Sequence, residues 1–127
     1  MSDILKVAAL QLDIASGDKT RNISEASRLI ESLPEGYDIA LLPEMFTTGF
    51  ICDPSQSALL AESVDGATMT AMRSLSARHK IAICGSFIAR DGDAVYNRAF
   101  FVEPSGDTYF YDKHHLFSFS GEDIAYR

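Results

Sequence analysis

The chain has 127 residues, of which 46% are hydrophobic and 23% charged, and it carries a formal net charge of −7. That length fits one domain or part of one, with enough apolar residues for a packed core, which argues against bulk disorder. The acids are spread along the sequence and no Lys/Arg stripe is present to release counterions, which argues against a nucleic-acid partner.

The opening "MSDILKVAALQLD" is apolar but has neither a basic n-region nor a small-residue cleavage site, so it reads as a strand and not as a signal peptide. Its β-rich "ILKVAALQLD" has the composition of a central strand. "SGD" punctuates, and Ile23, Ala26, Ile30 and Leu33 then recur at helical spacing, with Asp18 as the N-cap candidate and Pro34 and Gly36 as the stop. "DIALL" at 38–42 is the second strand, ended by Pro43. Strand, helix, strand over this length predicts a βαβ unit with a parallel pair and a right-handed crossover.

A polar loop around Asp53 and Pro54 leads to a second helix over 67–79, with Met69, Met72 and Leu75 on one face. "IAICGSFIA" at 81–89 is the third strand. After it the pattern changes to hairpins: "DGD" turns into "AVYNRAFFVE", and "PSGD" turns into "TYFYDK". The expected fold is α/β, a mixed sheet with flanking helices. No apolar run approaches the ~18 residues of a membrane span, which argues against a membrane partner. The Gly-rich phosphate motifs are absent from the sequence. With Cys52 and Cys84 in no paired spacing, free thiols in a cytoplasmic protein are the expectation.

Glu44 lies where a strand of an α/β sheet passes into its loop, the place at which such sheets bind ligands. A solvated or helix-capping glutamate is the plain alternative. Phe46, Gly49 and Phe50 favour a partly dry pocket, in which a desolvated carboxylate gains proton affinity and suits acid–base work. Lys113 ends another strand among aromatic residues, although a lone lysine there is commonly a solvated edge charge. Adjacent His114 and His115 rarely address one ion, and no third ligand is spaced nearby, so no metal is expected. Glu122, in "FSGED", has a plain reading as a loop acid. Cys84, inside an apolar strand, reads as a buried packing residue.

Taken together and in order, these segments resemble the nitrilase, or carbon–nitrogen hydrolase, superfamily over the whole chain. The resemblance rests on "KVAALQLD", the helix bearing Asn22, "ALLPEMFTTGF", "NRAFFVEPSGDTYFYDKHHLF" and the following "GED". The ω-amidase branch is the most similar, through the surroundings of Glu44 and Lys113.

The resemblance implies an αββα four-layer sandwich and a Glu–Lys–Cys triad that needs no cofactor. It implies hydrolysis of the amide of a small 2-oxo acid amide such as 2-oxoglutaramate, releasing ammonia, by an enzyme whose subunits commonly pair. Glu44 matches the glutamate that takes and returns protons. Lys113 matches the lysine that stabilises the tetrahedral intermediate, and Glu122 matches a second glutamate that positions the substrate or the lysine. The family's nucleophilic cysteine lies beyond the lysine, so Cys52 and Cys84 do not match it. Residues 1–127 are accordingly expected to be the N-terminal portion of a single carbon–nitrogen hydrolase domain, inactive alone. Two alternatives stay open: another amidase or nitrilase branch, and a catalytically silent half-fold used for binding or assembly.

Overall fold

Five short apolar stretches pair into one sheet in a computed structural model that describes residues 3–127. The strands β1 (Val7–Ala9), β2 (Ile39–Leu41), β3 (Ala82–Asp91), β4 (Ala94–Val102) and β5 (Thr108–Asp112) lie side by side in chain order. β1, β2 and β3 are parallel, whereas β4 is antiparallel to both β3 and β5. Parallel neighbours need a crossover, and here α1 (Lys19–Ser32) joins the first pair while α2 (Pro54–Leu60) and α3 (Ala67–His79) join the second. The antiparallel strands follow tight turns. A 3-10 turn at Ser118–Ser120 and α4 (Glu122–Ala125) complete the described chain. The sheet is mixed and flanked by helices, as expected from the sequence.

Local chemistry sets the helix bounds. The Asp18 carboxylate accepts the Arg21 amide at 3.1 Å, which satisfies one of the orphan donors at the start of α1. Ala26 and Ile30 are buried one turn apart. α3 buries Met69, Met72 and Leu75 and stops at Lys80, which takes the left-handed conformation at φ 53°. These apolar residues pack on Ala40, Ile83, Phe87, Ala89, Phe100 and Val102 of the sheet and on Leu42 just beyond β2. Phe100 sits opposite Gly85, where an added Cβ would lie 3.2 Å from its ring. The missing side chain lets the ring close over the strand.

Two local features read differently among the described residues. β1 has the composition of a central strand but forms one edge of the described sheet, with Val7 exposed and only Ala8 buried of its three residues. Asp53 and Pro54 do not sit in a plain loop: Asp53 caps α2 by accepting the Ser55 amide at 3.1 Å, with Pro54 at the first helical position. A proline there sacrifices no helical hydrogen bond.

The opposite face of the sheet is covered only at one end. There Met45, Ile51, Ile88, Ala125 and Tyr126 form a second, smaller core, using α2 and α4. Away from that end, Ala9, Leu41, Cys84, Phe101 and Tyr109 line up in register across all five strands. Leu41 is 37% exposed and Tyr109 58%. Among the described residues no helix is long and apolar enough to cross a membrane.

Candidate active site

Three elements bring charge to the carboxyl end of β2, β3 and β5. Glu44 follows β2 after Pro43, and a sharp reversal comes next. Met45 is buried with φ 49°, a left-handed conformation that is strained for a residue with a long side chain. The surroundings hold it there. The Met45 amide donates to Ser86 Oγ at 2.7 Å, and the Gly49 amide donates back to the Met45 carbonyl at 2.8 Å. Buried Asn22 braces the same loop from α1, donating to the Thr47 and Ala15 carbonyls at 2.7 Å each. Strain of this kind persists only where the surroundings over-determine it, and it concentrates at functional sites.

Lys113 continues β5 by one residue, its amide donating to the Asn97 carbonyl at 2.9 Å. Its Nζ lies 3.0 Å from Glu44 Oε1 and 3.0 Å from Glu122 Oε1. Glu122 is not a loop acid. It is the first residue of α4 and is fully buried. The Phe117 amide donates to its Oε1 at 2.6 Å. The three residues singled out from the sequence therefore meet around one ammonium group. Phe50 adds its ring face 5.5 Å from that nitrogen.

Exposure divides the two acids. The Glu44 side chain is 49% exposed against 0% for Glu122, and Lys113 lies between them at 33%. The partly dry pocket expected around Glu44 is thus only half formed. The reversal at Met45 turns Phe46 into the main core, 6.1 Å from Phe100, so that of these two phenylalanines only Phe50 flanks the cluster. Burial works against the charge on Lys113, but its hydrogen bonds to Glu44 and Glu122 outweigh this and raise its pKa above the ordinary lysine value. Burial likewise opposes ionisation of Glu122, and the donors from Phe117, Asn97 and Lys113 reverse the sign, holding its pKa below the usual carboxylate range. At neutral pH the cluster contains an ammonium and a buried carboxylate fixed in their charged forms.

Cys84 lies apart from the cluster. Cys84 is four residues before Ile88 on β3, and Ile88 pairs with Asn97, so Cys84 sits ~13 Å from that row at the usual rise of a strand. It is only half-buried, not the fully packed residue expected, and burial pushes its thiol pKa up. Cys52 faces Ser120, with Sγ 3.6 Å from its Oγ. Both thiols are free. The rings of His114 and His115 meet edge to face at 4.7 Å on the surface. Among the described residues no three His, Cys, Asp or Glu side chains gather as a metal site. A concavity at the opposite end of β2 and β3, lined by Leu33, Tyr37, Arg78 and His79 among others, holds none of the candidates.

Sequence reasoning missed Asn97. It is 98% buried in the middle of β4, and its amide nitrogen donates to Glu44 Oε1 at 2.7 Å and to Glu122 Oε2 at 3.0 Å. The signal was a polar residue at a core-facing phase of an aromatic strand, "AVYNRAFFV".

The chain as a whole has known relatives. The family model for carbon–nitrogen hydrolases matches residues 6–126. The chain is 32% identical over 123 residues to the ω-amidase YafV of Escherichia coli K12, covering 97% of this chain and 46% of that protein. It is 29% identical over 120 residues to the 2-oxoglutaramate amidase of Bacillus subtilis, covering 93% of this chain and again 46% of the relative. Among solved structures, XC1258 of Xanthomonas campestris, a CN-hydrolase superfamily protein, superposes with a TM-score of 0.90 at 34% identity, over 97% of this chain and 45% of that one. The chain thus spans about half the length of the relatives it matches.

Proposed function

The chain belongs to the carbon–nitrogen hydrolase family, and on that premise we propose that it supplies the acid–base and oxyanion-binding groups of an enzyme that hydrolyses the amide of a small 2-oxo acid amide such as 2-oxoglutaramate. The observation that carries this reading is the position of Lys113 Nζ, 3.0 Å from both Glu44 and Glu122. A cationic donor held by two carboxylates is already oriented when charge develops on a substrate oxygen, so little reorganisation is needed during the reaction.

Each residue then has a role. A cysteine thiolate attacks the amide carbon, and the oxygen becomes an oxyanion facing the Lys113 ammonium. Glu44, the more exposed acid, donates a proton to the departing nitrogen, so that ammonia leaves and a thioester remains. Water next attacks the thioester while Glu44 accepts a proton, which restores the thiolate and releases the carboxylic acid. Glu122 stays ionised and anchors Lys113.

The nucleophile in this reading is neither Cys52 nor Cys84, whose positions are described above. Residues 1–127 form the N-terminal portion of a single hydrolase domain, and the sheet with its helix layer forms half of an αββα sandwich. The shared coverage of 45–46% with the relatives supports this division. The substrate class is supported by the printed activities of the ω-amidase and 2-oxoglutaramate amidase relatives.

Ammonia release from 2-oxoglutaramate tests the proposal. The 127-residue chain alone is expected to release none. The same chain continued through a cysteine-bearing segment is expected to turn over and to lose at least ~10²-fold in kcat with Glu44→Gln, as for loss of a general acid–base group. Turnover by the short chain, abolished by Cys84→Ser or Cys52→Ser, would place the nucleophile wrongly in this account.

A further inference from the structure

We propose that Asn97 is the positioning residue of the charged cluster, a single side chain that fixes Glu44 and Glu122 on either side of Lys113. The geometry is specific. The Asn97 side-chain nitrogen donates to Glu44 Oε1 at 2.7 Å and to Glu122 Oε2 at 3.0 Å, while the Asn97 carbonyl accepts the Lys113 amide at 2.9 Å. One residue therefore touches all three charged partners. Both carboxylates are acceptors, so the amide must turn its NH2 side toward them, and its two N–H bonds match the two oxygens.

The chemistry explains why an amide serves here. Glu44 and Glu122 would repel each other across a shared lysine. A neutral double donor screens that repulsion without competing with Lys113 for the carboxylates' charge, which a second cation would do. A hydroxyl has only one proton to give and cannot serve both acids. Asn97 is held in turn by β4, paired with β3 and β5 on both sides and opposite Ile88, so the donor sits on rigid backbone. The titratable groups that face the cluster are Glu44 from the β2 loop, Lys113 beyond β5, Glu122 on α4 and Tyr126 at the end of α4, whose phenol interacts electrostatically with Glu122.

This assignment rests on the proposed function for its catalytic meaning but not for its test, which reads proton affinity and not turnover. The carboxyl carbons of Glu44 and Glu122 are followed by NMR against pH in the 127-residue chain, with Asn97→Leu and Asn97→Asp as near-isosteric variants lacking the donor. Both variants are expected to raise the Glu122 pKa by about one unit or more, the size of a lost hydrogen bond to a charged group, with the larger rise for the added carboxylate of Asn97→Asp. Retained protection of the Lys113 amide, which needs only the backbone of residue 97, marks the effect as local. Wild-type titration of both glutamates in a folded variant would overturn the assignment, and so would failure of both variants to fold, which would make Asn97 part of the scaffold alone. Inactivity of a longer polypeptide would count against the proposed function and leave the titration result standing.

Discussion

On the helix side of the sheet, Ile83, Phe87, Phe100 and Val102 pack into one core with residues of α1 and α3; on the other side, the same strands present a charged cluster at one end and half-covered or exposed apolar residues elsewhere. Phe87, Ile83 and Val102 are essentially inaccessible, whereas Leu41 and Tyr109 are exposed. Strand alternation creates both faces at once, because successive side chains point to opposite sides. The helix side follows the spacing of Met69, Met72 and Leu75. The open side is arranged differently: buried Asn97 and Glu122 form a rigid base, and the more exposed Glu44 and Lys113 are the groups that the proposed function turns toward a ligand. The covered face supplies stability, the open face carries the groups to which the proposed function assigns the chemistry, and the two can be perturbed separately.

The sharpest way to break that contrast is to damage the covered face. Phe87 is fully buried and lies 6.1 Å from the Phe100 ring. Phe87→Ala is expected to cost ~3–5 kcal/mol, the transfer term plus a cavity the strands cannot collapse around. Urea denaturation measures it, and a loss below about 1 kcal/mol would show that this face is not the one that holds the fold.

A smaller loss is expected at the charged end. Lys113→Met leaves Glu122 buried with its Phe117 and Asn97 donors but without its cation, at a cost of roughly 1–3 kcal/mol. The pH dependence has two signs. The folded pKa of Glu122 is depressed, so its contribution is present above the unfolded carboxylate value of ~4.3 and is lost as pH falls through the lower folded value. The folded pKa of Lys113 is raised, so its contribution is complete below ~10.4 and is lost as pH rises through the higher folded value. Thermal midpoints collected across pH should therefore fall at both extremes in the wild type. The acid limb should flatten in Glu122→Gln and the alkaline limb in Lys113→Met. Unchanged limbs in both variants would mean that the cluster contributes nothing to stability.

How far the sequence reveals these two faces depends on the range of the forces involved. α3 is legible to its bounds because helical spacing and a following β-run are local signals, and Asp18 is legible because capping acts over three residues. α2 carried a local signal too, an Asp–Pro start, but its polar "SQS" gives no apolar stripe to announce a helix. Glu44, Lys113 and Glu122 could be singled out by motif order, yet their meeting at 3.0 Å depends on strand pairing over 69 residues of chain. Asn97 escaped because a single polar residue in a strand acquires meaning only when Glu44 and Glu122, 53 and 25 residues distant, arrive beside it.

The mildest perturbation addresses the bare part of the open face. Ala9, Leu41, Cys84, Phe101 and Tyr109 form a continuous row across five strands, ~19 Å wide at the usual strand spacing. β1 and β5 flank it as edges of the described sheet, with backbone donors and acceptors available for pairing. Contiguous apolar surface bounded by strand edges recruits a partner or another copy. The 127-residue chain is therefore expected to self-associate, with light scattering that rises with concentration. Replacing Leu41 and Tyr109 together by Thr keeps a β-favouring side chain at each position and removes the two exposed large side chains of the row. Because neither residue is buried, the unfolding free energy should move by no more than about 0.5 kcal/mol while the scattering falls to the monomer value. A wild-type chain that stays monomeric at every concentration, with a sharp reversible melt, would show that the open face is indifferent to partners and that only its charged end has a role.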